Sequence, residues 1–172
     1  MNWFDAAATL VCAVSMALFY FLMESRTKSP RRIPTADGRE FQMPDMRFHY
    51  TPEVLYAAME QAGEEGRPRM RRYWLLDYGF IASFLAVMLL VGLNVMGAQS
   101  PLLPWMAALA CARAALDLVE NTLMLILLKA YPARSNGKAK LAGVATSAKF
   151  LCLYAWVALL FYRLATTAFG VK

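Results

Sequence analysis

The stretch LLPWMAALACARAALDLVENTLMLILLKAY, residues 102–131, decides the fold of this chain. It is an apolar run whose middle is interrupted by Arg113, Asp117, Glu120 and Asn121. At about 3.6 residues per turn, these four positions fall on one face of a helix. Each ionisable group inside a membrane helix carries an insertion cost of about 2.5 to 3.5 kcal/mol, so this face must contact protein, water or a ligand. The stretch therefore predicts a polar core inside a membrane protein.

The composition of the whole chain agrees with a membrane class. Hydrophobic residues make up 59% of the 172 residues, and they are gathered in long blocks rather than dispersed. Crossing a hydrocarbon core takes about 20 residues of helix, and four blocks reach that length. We therefore predict an all-α integral membrane protein, a four-transmembrane-helix bundle in one domain, with helices at about 3–23, 73–96, 102–130 and 141–169.

Positive charge is distributed unevenly between the segments that connect these blocks. Ten arginines and lysines fall in residues 24–72 and four in residues 129–140, whereas the short turn before residue 102 has none. Because positively charged loops stay in the cytoplasm, both basic segments are predicted to be cytoplasmic and both termini to lie outside. The predicted location is the bacterial inner membrane. Attraction to anionic lipid explains the net charge of +6, so no nucleic-acid partner is expected.

The long first loop is predicted to contain a short helix. Proline, glycine and charged residues dominate residues 29–44, a composition that indicates an extended connector. Apolar residues at helical spacing then predict an amphipathic helix at about 52–62, ended by Gly63 and separated from the second span by Gly66 and Pro68. This helix is expected to lie on the cytoplasmic membrane face. The alternative is a lid over the inner mouth of the bundle.

An arginine cluster stands directly before the second span and comprises Arg67, Arg69, Arg71 and Arg72. Such a cluster anchors the orientation of a membrane protein, and it can also bind lipid headgroups. Trp74, which follows it, is expected at the inner membrane interface because tryptophan is enriched there.

Depth along the helices predicts which polar groups meet. Glu120 and Lys149 each lie roughly eight to ten residues from the inner end of their span, so they occupy nearly the same level. We predict an ion pair between them, with Asn121 hydrogen-bonded nearby. A second pair is predicted within the third helix, between Arg113 and Asp117, one to two turns further out.

Asp77 lies about one turn inside the second span. It is expected either to pair with an arginine of the nearby cluster or to point into the bundle. The candidate polar core or ligand-binding site is therefore Asp77, Arg113, Asp117, Glu120, Asn121 and Lys149.

Several short pieces of the sequence resemble a family of small, uncharacterised bacterial four-helix membrane proteins. They are DMRFHYTPE at 45–53, GEEGR at 63–67, DLVEN at 117–121, YP at 131–132, and the single residues Asp77, Thr146 and Lys149. The pattern covers most of the chain from residue 45 onward. The resemblance implies a four-helix layout and singles out the same polar residues, but it implies no activity.

A second resemblance involves Arg113, Asp117, Glu120 and Asn121. Their spacing is similar to the Arg-x-x-x-Asn-x-x-Glu pattern of the membrane-associated eicosanoid and glutathione metabolism proteins, which are also four-helix proteins. That resemblance implies glutathione binding. The chain departs from the family pattern because Asp117 replaces the asparagine and the motif falls on the third span instead of the second.

Enzyme motifs are absent from the sequence. It contains no Gly-x-Ser-x-Gly, no phosphate-binding glycine-rich loop, no His-Glu-x-x-His and no cysteine pair at zinc spacing, so we predict no metal and no cofactor. The expected function is a non-enzymatic accessory or interaction subunit of a larger membrane assembly, with membrane lipids and either partner subunits or further copies of itself as partners. The alternative is a pocket between the second, third and fourth spans that binds a lipid or small hydrophobic ligand, with acid/base chemistry by its carboxylates.

Overall fold

A computed structural model describes residues 3–25, 29–33 and 41–169, without the side chains of residues 3, 4 and 32. Throughout this part of the chain the regular structure is helical. It consists of α1 (Trp3–Met23), α2 (Pro52–Met96), α3 (Leu103–Ala130) and α4 (Asn136–Ala168), with short 3₁₀ helices at Pro30–Arg32 and Pro44–Met46. The predicted all-helical layout with four long helices is therefore confirmed.

Three of the four helices, α1, α2 and α4, are long and apolar enough to cross a membrane. The third helix does not reach that apolarity because every segment long enough to cross contains Arg113, Asp117 and Glu120. A multi-pass membrane protein is consistent with these three helices. The fourth span remains a prediction.

Helix α2 differs from the prediction because it joins the short loop helix and the second span. Gly63 interrupts it, with φ of +62°, a value that glycine adopts without steric cost. The predicted stop at Gly63 is thus present as a break, but the helix resumes at once and continues to Met96. The predicted separation at Gly66 and Pro68 is wrong, because both residues are helical and Pro68 lies within the resumed segment, five residues after the break.

The long first loop also differs from the prediction, because several of its described residues belong to the hydrophobic core. Phe41 and Met43 are 2% and 3% exposed, and Ile33 packs closely against Gly66 of α2. The described residues of the predicted extended connector, 29–33 and 41–44, instead include a 3₁₀ helix at Pro30–Arg32 and are largely packed against the helices; residues 34–40 lie outside the described part. The apolar face of the short helix is also covered by the chain itself, since Leu55 and Met59 are fully buried. That face is not free to lie on a membrane, which corrects the prediction of a membrane-surface helix, and the lid stays a prediction.

The long helices pack in a row, with α1 on α2, α2 on α3 and α3 on α4, while α2 also contacts α4. Between α1 and α2, Gly79 faces the ring of Phe19 so closely that a β-carbon at this position would overlap it. One turn further along α2, the hydroxyls of Ser15 and Ser83 lie 3.0 Å apart. Gly79 therefore permits the close approach of these helices, as small residues do in membrane helix pairs.

We expect Gly79→Ala to displace α1 from α2, because the added methyl group would collide with Phe19. The measurement uses Ser15→Cys with Ser83→Cys in a background that lacks the three native cysteines, and counts thiols that stay unlabelled after oxidation. Cross-linking should be efficient in the parent and fall several-fold with Gly79→Ala. The control is Gly92→Ala, where a β-carbon meets Met106 at an ordinary 3.9 Å. Equal cross-linking in all three proteins would contradict this account.

Candidate functional site

Charged side chains from α3 and α4 form a buried cluster at the centre of the bundle. Lys149 Nζ lies 2.6 Å from Asp117 Oδ1 and 2.5 Å from Glu120 Oε2. Arg113 Nη2 lies 2.6 Å from Asp117 Oδ2, one helical turn away on α3. These four residues, at most 7% exposed, form the charged cluster. Lys149 thus bridges two carboxylates, and Asp117 receives two cations.

Glu120 connects this cluster to a neutral part of the core. The Thr146 hydroxyl donates a short hydrogen bond to Glu120 Oε1, and the Tyr50 hydroxyl lies 3.4 Å from the same oxygen. Thr146 lies on α4, almost one turn before Lys149, whereas Tyr50 belongs to the first loop. Glu120 is 0% exposed, so its partners are supplied by the chain.

A second polar contact links α2 to α3. The Asn121 amide donates to Asp77 Oδ2 across 2.6 Å, and both side chains are buried. Asp77 therefore points into the bundle, which is one of the two arrangements that the sequence allowed.

The first loop contributes an acidic group of its own. Trp74 Nε1 donates to Asp45 Oδ2 at 3.2 Å, and Trp74 is fully buried. Burial raises the pKa of the Asp45 carboxyl, while the Lys149 ammonium and the Trp74 hydrogen bond oppose that rise. Burial and the neighbouring Glu120 carboxyl also raise the pKa of the Tyr50 hydroxyl, which keeps it a donor. The loop is thus held by the same core as the helices.

The buried core is richer in acids than in bases. Among the described residues, two cationic groups, those of Arg113 and Lys149, are buried with four carboxyl groups. Asp117 and Glu120 hold both cations, whereas the remaining two carboxyl groups are bonded by the neutral donors Trp74 and Asn121. Removing Lys149 would leave three of these four acids without an ion-pair partner, because Arg113 contacts only Asp117 among them.

These contacts confirm the predicted ion pairs. Glu120 meets Lys149, and Arg113 meets Asp117 within α3. The additional contact between Lys149 and Asp117 was not predicted. Sequence reasoning also missed the loop groups Asp45 and Tyr50, together with their partners. Asp45, Tyr50 and Thr146 belong to the pieces on which the family resemblance rests, but nothing in their spacing placed them in the core.

Trp74 is buried in the core, whereas the arginines of the cluster lie at separate places nearer the surface. Trp74 is buried under Asp45 rather than at a membrane interface, so that prediction is wrong. Arg67 and Arg71 line a groove together with Lys129 of α3. Arg69 lines a separate depression beside Gly63 and Gly66, and Arg72 is half-buried. The four arginines therefore do not form one surface.

Four cavities among the described residues lie toward the ends of the helices, and none of these four is lined by the charged cluster. Within the same residues, no group of three histidine, cysteine or acidic side chains is arranged to hold a metal ion. His49, the one histidine, is exposed and lies 3.1 Å from the hydroxyl of Ser147.

Comparison with family models, with characterised protein sequences and with solved structures finds no match to the chain. The two family resemblances therefore stay predictions. The function has to be argued from the geometry of the chain itself.

Proposed function

We propose that this chain is a four-span protein of the bacterial inner membrane that acts as a non-enzymatic accessory or interaction subunit of a larger membrane assembly. The observation that carries the proposal is the pairing of the charged cluster within the chain. Lys149 contacts both Asp117 and Glu120 at 2.5 to 2.6 Å, and Arg113 completes the set.

In this proposal α3 is the fourth span. Its polar residues have protein partners on α4 and α2, so a membrane would meet only its other face. The basic segments before α2 and after α3 would face the cytoplasm, and both termini would lie outside. Pairing of this kind favours an architectural role, because a buried carboxylate whose charge is held by a cation fixes helix register rather than offering a free acid or base.

The outward face of α3 supports an interaction role. Ala108, Ala112 and Ala115 are exposed there, beside Cys111 and Val119. Small side chains allow the backbones of two membrane helices to approach closely, and dispersion forces then favour association. We propose that this face receives a helix of a partner subunit or of a second copy.

The test is extraction of the full chain from native membranes in a mild detergent, followed by native mass spectrometry. A partner subunit or a second copy should accompany the chain at a fixed ratio. Ala112→Leu should release it, since the larger side chain would hold the helices apart, whereas Ala17→Leu on the exposed face of α1 should not. A chain that emerges alone, or a complex that survives Ala112→Leu, would contradict the proposed interface.

A further inference from the structure

A groove between α2 and α3 combines positive charge with an apolar floor. Its volume is about 520 Å³. The groove lies where α2 leaves its break at Gly63 and where α3 ends. Its lining includes Glu64, Arg67, Arg71, Leu75, Leu125 and Lys129.

The charged and apolar residues of this groove form two layers. On α2, Arg67, Arg71 and Leu75 follow one another at intervals of four residues, so they share one helix face. On α3, which runs the opposite way, Leu125 precedes Lys129 by the same interval. Leu75 and Leu125 therefore lie about 6 Å, roughly one turn, deeper along their helices than Arg71 and Lys129. This is the layering of a lipid headgroup above its acyl chain.

The cations of the groove are available to a ligand. Among the described residues, no carboxylate lies within ion-pair distance of Arg71 or Lys129, and both side chains are exposed. Arg67 lies over the ring of Tyr131, with its guanidinium carbon 5.0 Å from the ring centroid, which orients it at the rim. Glu64 supplies one negative charge, so three cations leave the groove with a net charge of +2.

From this arrangement we infer that the groove binds one anionic phospholipid, with its phosphate between Arg67, Arg71 and Lys129 and an acyl chain along the leucines. Guanidinium groups bind phosphate oxygens through paired, charge-assisted hydrogen bonds. A soluble phosphate would gain nothing from the leucine floor, which is half-exposed at Leu75. A zwitterionic lipid would bring its own positive group into a site that already has a net positive charge. The inference is independent of the accessory-subunit proposal.

The test measures lipid binding to the purified full chain in detergent by native mass spectrometry. Dioleoyl phosphatidylglycerol and dioleoyl phosphatidylcholine are titrated separately, so that only the headgroup differs. Phosphatidylglycerol should bind about tenfold more tightly, because both lipids carry the phosphate but only phosphatidylcholine adds a positive charge to a site whose net charge is already +2. Arg67→Gln with Arg71→Gln should remove this preference. Arg47→Gln with Arg69→Gln is the matched control: it removes the same charge outside the groove and should keep the preference.

Two further measurements separate a lipid from a soluble phosphate and from general charge attraction. Leu75→Asn should weaken phosphatidylglycerol several-fold while leaving all three cations in place, and glycerol 3-phosphate should compete poorly. If glycerol 3-phosphate displaces the lipid at similar concentration, the groove is a phosphate site and the inference is wrong. It is equally wrong if the control pair loses the preference as fully as the groove pair, or if both lipids bind alike.

Discussion

Lys149→Met is expected to destabilise the folded chain by about 3 to 5 kcal/mol, because breaking a buried ion pair leaves an uncompensated charge in the core. Lys149 contacts Asp117 and Glu120 together, and Arg113 would be the one cation left for four buried carboxyl groups. Methionine has a similar length, so the loss is one of charge rather than of volume. The measurement is the free energy of unfolding of the purified chain in mixed micelles.

Two control variants make this expectation specific. Lys140→Met makes the same substitution on the exposed face of α4 and should stay within about 0.5 kcal/mol of the parent. Adding Glu120→Gln to Lys149→Met should recover part of the loss, since glutamine still accepts from Thr146 and Tyr50 but carries no charge. Additive effects of the two substitutions would show that the residues do not interact, and the charged cluster would then not hold the bundle.

The charged cluster was predictable because two simple rules apply to it. Helical periodicity places Arg113, Asp117 and Glu120 on one face, and the cost of lipid exposure turns that face inward. Counting residues from the ends of antiparallel helices then brings Glu120 level with Lys149, as the 2.5 Å contact confirms. Lys149 reaches Asp117 as well because residues three apart on a helix are neighbours, and a long side chain from α4 can contact both.

The contribution of the first loop could not be predicted in the same way. Asp45 lies in a 3₁₀ helix of three residues and Tyr50 in irregular backbone. Neither segment is long enough for a period to relate the position of a residue to the side it faces. A segment rich in proline and charge is typical of exposed loops, yet here Phe41, Met43 and Asp45 are buried. The burial depends on what α2 and α4 offer to the loop, namely the Trp74 donor and a gap beside Gly143. Neither feature can be recognised from the loop's own sequence.

The effect of each glycine on α2 could not be predicted from the neighbouring sequence either. Glycine and proline weaken helices locally, and Gly63 does interrupt this one. Gly66 does not interrupt the helix. Its missing side chain makes room for Ile33 from the first loop. Glycine thus interrupts the helix at Gly63 and permits close packing at Gly66. The two positions differ in a contact with a segment that is distant in the sequence.

Gly143 on α4 lies where the first loop crosses the helix. A β-carbon at Gly143 would overlap the main-chain carbonyl oxygen of Tyr50, and a main-chain atom cannot move aside by a change of rotamer. We expect Gly143→Ala to destabilise the chain by about 1 to 3 kcal/mol, the usual cost of overpacking a core. The loop should separate from α4, and Tyr50 should no longer reach Glu120.

Gly137→Ala is the matched control, because it makes the same substitution on the same helix with no atom within 4 Å of the new β-carbon. Replacing glycine by alanine in an open helical position stabilises by up to about 1 kcal/mol, so the two variants should move the stability in opposite directions. Loop separation is measured by maleimide labelling of Met43→Cys, a position that is 3% exposed, in the background without native cysteines. Labelling should accelerate at least several-fold with Gly143→Ala and remain slow with Gly137→Ala. Were both variants to label slowly, the loop would tolerate the added methyl group, and its docking would not depend on the close approach to α4. Fast labelling with Gly143→Ala alone would instead show that the loop separates from α4. Asp45 and Tyr50 contribute to the polar core only while the loop is docked, so that core would then depend on the close approach at Gly143.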